Sequence, residues 1–533
     1  MNAFAGTGAL VRLILRRDRV LMPIWILFLS ILPLSMTSGT AELYPTDEGR
    51  QGYINDLGSN ALLIMFYGAK PSEPSLGALM FWRAATAMVI LGLIGLLVVI
   101  RHTRVEEEAG RRELVGSTVV GRHANLAAAL LTVTGAMLLT GVLVALGMAS
   151  QDTPVDGAFA MGMAWAFTGI LFAAVGAVAA QLTQGAGAAR GIAILTLAIA
   201  WGIRGIADTG PDTAWLAWVS PLGWIYRVNA YTDNRWWIFG LVAVLVVALA
   251  AVAVRLSANR DVGAGILKPS LGPAAAKQSL RSPLALAWRL HRGTMISWTI
   301  GIAVFGVLIG AAAKVGQDLM EDNEELAEVM KRIGAANSLG DVMLAGGLSF
   351  MAIAVAGYAI SAALKMRAEE ASLRSEPVLA TGVSRLGWAT SHLFFAVVGP
   401  AIVMIAAGIG AGLMRGADLG DMGKGLSGAI GGSLVQLPAI WVLVGLTVAV
   451  FGLLPRLSQA IGWAGLAICL LLGQVGALLQ LDQKVLDISP FTHIPVVPGG
   501  DFKALPLVTL TGIAAVLMAI GFAGFRRRDI PVT

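Results

Sequence analysis

The stretch R-V-E-E-E-A-G-R-R-E-L-V-G-S-T-V-V-G-R at residues 104–122 returns, without a gap, as R-A-E-E-A-S-L-R-S-E-P-V-L-A-T-G-V-S-R at residues 367–385. A constant shift of 263 residues aligns the two copies. The identical positions are Arg104/Arg367, Glu106/Glu369, Glu107/Glu370, Arg111/Arg374, Glu113/Glu376, Val115/Val378, Thr118/Thr381, Val120/Val383 and Arg122/Arg385. Each copy follows one long apolar run and precedes another. A charged loop is therefore expected at the same place in two tandem membrane halves.

The composition is that of a membrane protein. Mean hydropathy is +0.77, and 57% of the residues are hydrophobic while only 13% are charged, which lies outside the soluble range. Runs long enough to span a bilayer occur twelve times, six in each half. They fall near 20–38, 78–100, 124–149, 158–182, 190–207, 237–255, 294–313, 341–364, 386–414, 430–454, 458–480 and 504–525.

These runs predict an all-α polytopic membrane protein built from two tandem parallel six-helix repeats. The first half takes residues 1–255, a cytoplasmic linker takes 256–280, and the second half takes 281–533. Basic amphipathic stretches around Arg16 and Arg289 predict surface helices before the first span of each half. A third amphipathic helix is predicted on the outer side, with an apolar face running from Leu326 to Ile333.

The charge distribution predicts a plasma-membrane protein with both termini in the cytoplasm. With that orientation, 25 of the 38 basic residues fall on the inner side, and 22 of the 32 acidic residues fall on the outer side. The basic excess then reflects topology and anionic membrane lipid, and it gives no reason to expect nucleic acid as a partner.

Several kinds of chemistry are excluded by the residues present. The single cysteine, Cys469, allows no disulfide, and the five scattered histidines predict no metal site. None of the nine lysines is followed by Ser or Thr, so the chain lacks a phosphate-binding loop and is not expected to hydrolyse ATP. We expect neither a catalytic residue nor a cofactor in this chain.

The repeated loops are the main candidate site, because a simple solvated turn needs polarity but not the same order of charges twice. We expect them to dock a partner or to couple conformations, with i,i+4 pairs Glu107–Arg111 and Glu370–Arg374 bracing each loop. The alternative is a solvated charged turn. Trp201, Tyr358 and Trp463 are candidates for a substrate path, although packed or lipid-facing aromatics remain the alternative for them.

The pattern E-E-x-x-x-R-x-E…T-x-V-x-R after the second span resembles the cytoplasmic coupling region of ABC-2 type exporter permeases. The long outer segment after the first span and the Ser-Pro motifs before the last span of each half (Ser220-Pro221 and Ser489-Pro490) fit the same family. The fused twelve-span form is similar to actinobacterial permeases described as polyketide-antibiotic or multidrug exporters.

The resemblance implies a separate cytoplasmic ABC ATPase, in two copies, that binds the ATP and Mg. It implies export of small hydrophobic or amphipathic compounds through a path between the spans. The ATPase would contact the repeated loops, where the second copy has Leu373 for Gly110 and Pro377 for Leu114. The implied coupling residues are Glu106, Glu107, Arg111, Glu113, Glu369, Glu370, Arg374 and Glu376.

The rival interpretation is a proton-coupled secondary transporter of the major facilitator type, which also has twelve spans in two parallel halves. Gly110-Arg111-Arg112 imitates the loop of that family, but the second copy lacks the triplet. The spans also lack a series of mid-membrane acids able to relay protons.

Overall fold

A computed structural model describes residues 2–58, 61–116, 118–267, 274–275, 280–321, 339–475, 482–500 and 502–529. All regular secondary structure in these ranges is helical. The chain divides into two compact units, Met1–Gly272 and Pro273–Thr533.

The first unit consists of helices packed around one central helix that is mostly buried. Their bounds are α1 Thr7–Arg17, α2 Leu21–Leu43, α3 Asp47–Gly58, α4 Ala61–Tyr67, α5 Leu76–Arg83, α6 Ala85–Ile100, α7 Glu106–Glu108, α8 Arg111–Gly116, α9 Ala124–Ala149, α10 Val155–Leu182, α11 Ala186–Ala207, α12 Pro221–Tyr226 and α13 Trp237–Ala258. The central helix is α10, and 78% of its most apolar stretch is buried. It packs against α6, α9 and α13.

Small residues allow the backbones of this unit to touch. A Cβ at Gly162 of α10 would overlap the carbonyl oxygen of Gly141 in α9, and a Cβ at Gly95 of α6 would overlap that of Gly169. Helices in lipid gain little from apolar burial, so close approach through glycine and alanine supplies the packing. The glycine-rich composition thus becomes the contact surface of α10.

The second unit has its own core. Its helices are α14 Pro283–Glu321, α15 Leu339–Ala371, α16 Ser375–Leu379, α17 Arg385–Leu419, α18 Met422–Leu434, α19 Leu437–Leu453, α20 Ser458–Val475, α21 Gln483–Leu486 and α22 Ala504–Arg527. The closest pairs are α14 with α17 and α19 with α22. Gly408 and Gly412 of α17 face α18 so closely that a Cβ on Gly412 would lie 2.8 Å from Leu426 Cα.

The helices agree with the predicted spans in most places. In the described residues, eleven helical segments are long and apolar enough to cross a membrane. The predicted span at 458–480 corresponds to α20, whose apolar part, Ser458–Gly473, is shorter than the others, and residues 476–480 lie outside the described ranges. The chain is therefore an all-helical polytopic membrane protein.

The predicted surface helices have different outcomes. α1 is a separate helix before α2, as expected. The stretch around Arg289 is not separate, because α14 runs unbroken from Pro283 to Glu321 and contains both that stretch and the following span. α1 ends with Asp18 as its C-cap, whereas α14 continues through Gly293 without a break. The outer helix predicted at 326–333 lies outside the described residues.

Both Ser-Pro motifs begin short helices. Ser220 caps α12 by accepting a hydrogen bond from the Gly223 amide at 3.3 Å, and Ser489 caps a 3₁₀ turn, Pro490–His493. Serine at the N-cap followed by proline at the first helical position is the expected start signal.

Candidate functional site

The first charged loop begins in a widened helical turn. Residues Arg101–Val105 form a π-helix that continues α6 and leads into α7. Such bulges are rare and shift the side chains that follow to a different face of the helix. Here Arg104 and Glu107 both turn inward, with 1% and 6% of their surfaces exposed, and they pair at 3.1 Å.

Glu107 is the centre of a buried ion cluster. Arg260, two residues after α13, binds both of its carboxylate oxygens at 2.7 and 2.8 Å. Arg104 and Arg112 each approach the same carboxylate to 3.1 Å, and the Gly263 amide donates to it at 2.7 Å. Three guanidinium groups thus share one carboxylate, which ties the loop to the end of the last helix of its unit.

The second loop has the corresponding cluster. Glu370 is 3% exposed, and Arg528, the residue after α22, binds both of its oxygens at 2.6 and 2.9 Å. Arg367, which corresponds to Arg104, lies 3.6 Å from the same carboxylate. The Arg528 side chain also stacks on Phe451 at 4.9 Å from the ring centre.

A second bond repeats around each of these arginines. Arg122 donates to the carbonyl oxygen of Arg260 at 2.8 Å, and Arg385 donates to that of Arg528 at 2.9 Å. The charged residues that match in the two sequence copies therefore make matching contacts within their own units. Each loop is fastened at both ends to the segment that follows the last helix.

In each loop the first glutamate, Glu106 or Glu369, binds the arginine that was expected to pair with the second glutamate. Arg111 donates to Glu106 at 2.6 and 3.0 Å, so the predicted Glu107–Arg111 pair is wrong. Arg374 donates to Glu369 at 3.0 and 3.1 Å. The spacing is i,i+5 because the helix breaks between the partners. The hydrogen bonds that the exposed Arg111 guanidinium donates to Glu106 raise the pKa of Arg111.

The remaining two predicted coupling residues lie further out. Glu113 is exposed in α8, and Glu376 is half-buried in the first turn of α16. The turn before each is left-handed, with φ of +72° at Gly110 and +58° at Leu373. The substitution of leucine for glycine has kept the backbone shape of the loop, at the cost of strain that a side chain meets in this region.

The N-terminal segment packs on the first loop. Amides of Gly121 and His123 donate to the carbonyl oxygens of Ala5 and Ala3, both at 2.9 Å. Arg17 of α1 pairs with Glu106. Burial, with the positive charges of neighbouring arginines, lowers the pKa of His123. α1 and the loop thus form one assembly at the end of the first unit.

The three aromatic candidates for a substrate path lie in different surroundings. Trp201 of α11 is half-buried, with its ring centre 5.6 Å from that of Phe66. Tyr358 is buried in α15, whereas Trp463 of α20 is 43% exposed beside Gly357. Tyr358 and Trp463 therefore belong to one region of the second unit, and Trp201 belongs to the first unit.

Sequence reasoning missed several arginines. Arg260 and Arg528 carried no motif, although both follow the last span of a half and lie 268 residues apart. Arg204 in α11 is fully buried and donates to the carbonyl oxygens of Met65 and Phe66 at 2.9 and 3.1 Å. Arg415, equally buried, binds Asp341 at 3.0 Å.

Metal ligands are not assembled in the part of the chain that the structure describes, where no group of three His, Cys, Asp or Glu side chains converges. The buried acids of the loops face guanidinium groups instead. The arrangement supplies positioning and a charged surface.

Helices of this length and hydropathy, with charged loops fastened at one end of each unit, define a polytopic membrane protein with an ordered charged surface. Residues 280–526 match the family described as "Multidrug efflux system permease Rv1217c, C-terminal domain". The whole chain is 40% identical over 530 residues to the multidrug efflux system permease protein Rv1217c of Mycobacterium tuberculosis, covering 99% of this chain and 96% of that protein. The chain belongs to this family of efflux permeases.

Proposed function

We propose that this chain is the membrane-spanning permease subunit of an ATP-driven ABC exporter, and that it moves hydrophobic or amphipathic drug-like compounds out of the cell. Its relative is named as a multidrug efflux permease over nearly the whole length of both chains. The observation that carries the proposal is the pair of loops whose charges and contacts repeat in the two units. An energy-coupling surface has to keep its shape, and a buried ion pair holds each of these loops.

The ATPase is a separate partner in this proposal, since the sequence lacks a phosphate-binding loop. Two copies dock, one at each loop, and they hold the ATP and Mg that drive transport. The buried acids Glu107 and Glu370 keep the loops in shape, while the outer residues Arg111, Glu113 and Arg374 meet the ATPase. Glu106, Glu369 and Glu376 orient and flank those outer residues.

The topology follows from the same proposal. Two tandem six-span repeats place both charged loops on the cytoplasmic side of the plasma membrane, together with both termini. α1, the first loop and the segment after α13 meet at one end of the first unit. These three segments are rich in basic residues, which supports placing that end on the cytoplasmic side. The substrate path lies between the spans, with Trp201, Tyr358 and Trp463 as its candidate aromatic residues.

Copurification tests the partner. The full chain, isolated in mild detergent from its native host, is expected to carry an ATP-binding protein at two copies per chain. Glu113→Lys combined with Glu376→Lys is expected to release that protein, because both reverse charge at the proposed contact. Glu48→Lys, an exposed position in α3, is the matched control and is expected to leave the complex intact.

Transport in liposomes separates this proposal from its rival. An ATP-driven permease reconstituted with its ATPase moves substrate only when ATP is supplied. A chain that purifies without an ATPase and transports in response to a pH gradient alone would be a proton-coupled secondary transporter, and the proposal would then fail.

A further inference from the structure

A cavity of about 880 Å³ lies in the first unit, between α1, the first charged loop and the segment after α13. Five apolar side chains form one wall, namely Leu10, Leu13, Ile14, Val120 and Val262. Leu10 and Ile14 are buried and fix this wall in place, while Leu13 is 55% exposed and opens it to the outside. The volume is that of a site for a whole small ligand.

Charged side chains form much of the rest of the cavity lining, and their charges do not cancel. Arg17, Arg111, Arg112 and Arg122 line the cavity together with only two acids, Glu106 and Glu113. Glu106 is already shared by Arg17 and Arg111. The guanidinium of Arg111 is half-exposed, and Arg122 lies at the exposed surface. A surplus of positive charge therefore faces the cavity from a rim that a ligand can reach.

We propose that this cavity binds one phospholipid with an anionic headgroup. The headgroup phosphate lies against the arginines, where planar guanidinium groups match its oxygens, and the start of an acyl chain lies along the apolar wall. A ligand that contacts both the arginines and the apolar wall has to be an amphipathic anion. A free phosphate lacks the apolar part, and a neutral lipid lacks the negative charge. This inference does not depend on the ATPase partner.

The position of the cavity favours a membrane lipid over a soluble ligand. Three of the five residues in its apolar wall, Leu10, Leu13 and Ile14, belong to α1, whose basic and apolar faces are those of a helix at a membrane surface. Exposed apolar residues continue from Leu13 through Val20 and Leu21 into the first span. A basic site beside the ends of spans is where anionic headgroups bind membrane proteins.

Lipid retention by the purified full chain tests the proposal. We would remove endogenous lipid with detergent and then measure binding of phosphatidylglycerol and of phosphatidylcholine with the same acyl chains by native mass spectrometry. Phosphatidylglycerol is expected to bind at one molecule per chain and phosphatidylcholine far more weakly. Inorganic phosphate in excess is expected to compete poorly, because it lacks the part that contacts the apolar wall.

Two pairs of variants locate the site. Arg17→Gln is expected to weaken phosphatidylglycerol binding about fivefold, the effect of one basic residue near an anionic surface, whereas Arg16→Gln on the same helix is expected to leave it unchanged. Leu13→Glu is expected to abolish the one-to-one binding, and Leu15→Glu, equally exposed but outside the cavity, is expected to keep it.

Three results would overturn the proposal. Equal retention of the two lipids would show that the arginines do not select charge. Equal losses in Leu13→Glu and Leu15→Glu would place the lipid on the general membrane surface. Displacement of phosphatidylglycerol by inorganic phosphate alone would make the cavity a simple anion site.

Discussion

The clamp on the second loop predicts a large local effect from one substitution. Arg528→Ala leaves the buried Glu370 carboxylate with Arg367, at 3.6 Å, as its remaining ionic partner. The two partners are 14% and 2% exposed, so solvent screening is weak. Removing one side of such a pair costs about 3–5 kcal/mol, because the other charge is left buried without compensation. Arg527→Ala removes a neighbouring exposed arginine and is the matched control.

Hydrogen exchange at the loop measures this cost directly. The amides of Leu373, Arg374 and Ala380 are bonded within the loop, and they exchange only when it opens. We expect them to exchange at least about a hundredfold faster in Arg528→Ala, since each 1.4 kcal/mol is a factor of ten. Arg527→Ala is expected to exchange like the unmodified chain.

A double-mutant cycle removes the contribution of packing, because Arg528 also stacks on aromatic rings. Glu370→Ala and the Glu370→Ala, Arg528→Ala double variant complete the cycle. The destabilisation of the double variant is expected to be smaller than the sum of the destabilisations of the two single variants, since the double variant leaves no buried charge unpaired. Additive effects, or equal exchange in Arg527→Ala and Arg528→Ala, would refute the clamp.

The remaining predictions concern backbone shape, titration and packing. Leu373→Gly is expected to stabilise the second loop by about 1 kcal/mol, because glycine adopts its positive φ without strain, and Gly110→Leu is expected to destabilise the first loop by a similar amount; exchange of the loop amides reads out both. His123 has a lowered pKa, so its stabilising contribution is present above its unfolded pKa of about 6.5 and is lost as the pH falls through the folded value. Thermal unfolding is therefore expected to show that the unmodified chain loses more stability below this pH than His123→Gln does. Parallel curves of stability against pH for the two proteins would contradict the assignment. Gly162→Val is expected to prevent α9 and α10 from packing, seen as lost monodispersity in detergent, since its side chain would overlap the backbone at Gly141.

The sequence predicted the features that depend on composition along the chain. Long apolar runs located the spanning helices, although α14 begins at Pro283 rather than at the predicted residue 294, and the repeated charges located the loops. Gly408 and Gly412 have the small-xxx-small spacing that places both on one face of a helix, and both lie close to the neighbouring helix.

The contacts between distant segments were beyond reach. The partner of Glu107 is 153 residues away, and an i,i+4 rule for a continuous helix assigned Arg111 to it instead. The π-helical turn before Glu106 and the left-handed turn at Gly110 change the register; the first has no composition signal, and glycine permits the second without requiring it. The full burial of Arg204 was likewise invisible, since it depends on backbone carbonyls of another helix.

The clamps also impose an order on synthesis. Glu107 is made 153 residues before Arg260, and Glu370 is made 158 residues before Arg528. At the usual 5–20 residues per second, each carboxylate waits about 8–30 seconds for its partner while the intervening spans are inserted. During that interval the loop has no fixed shape and its acid stays hydrated at the membrane surface. Each loop therefore becomes rigid only when its whole unit has been made, so an incomplete unit presents no ordered loop.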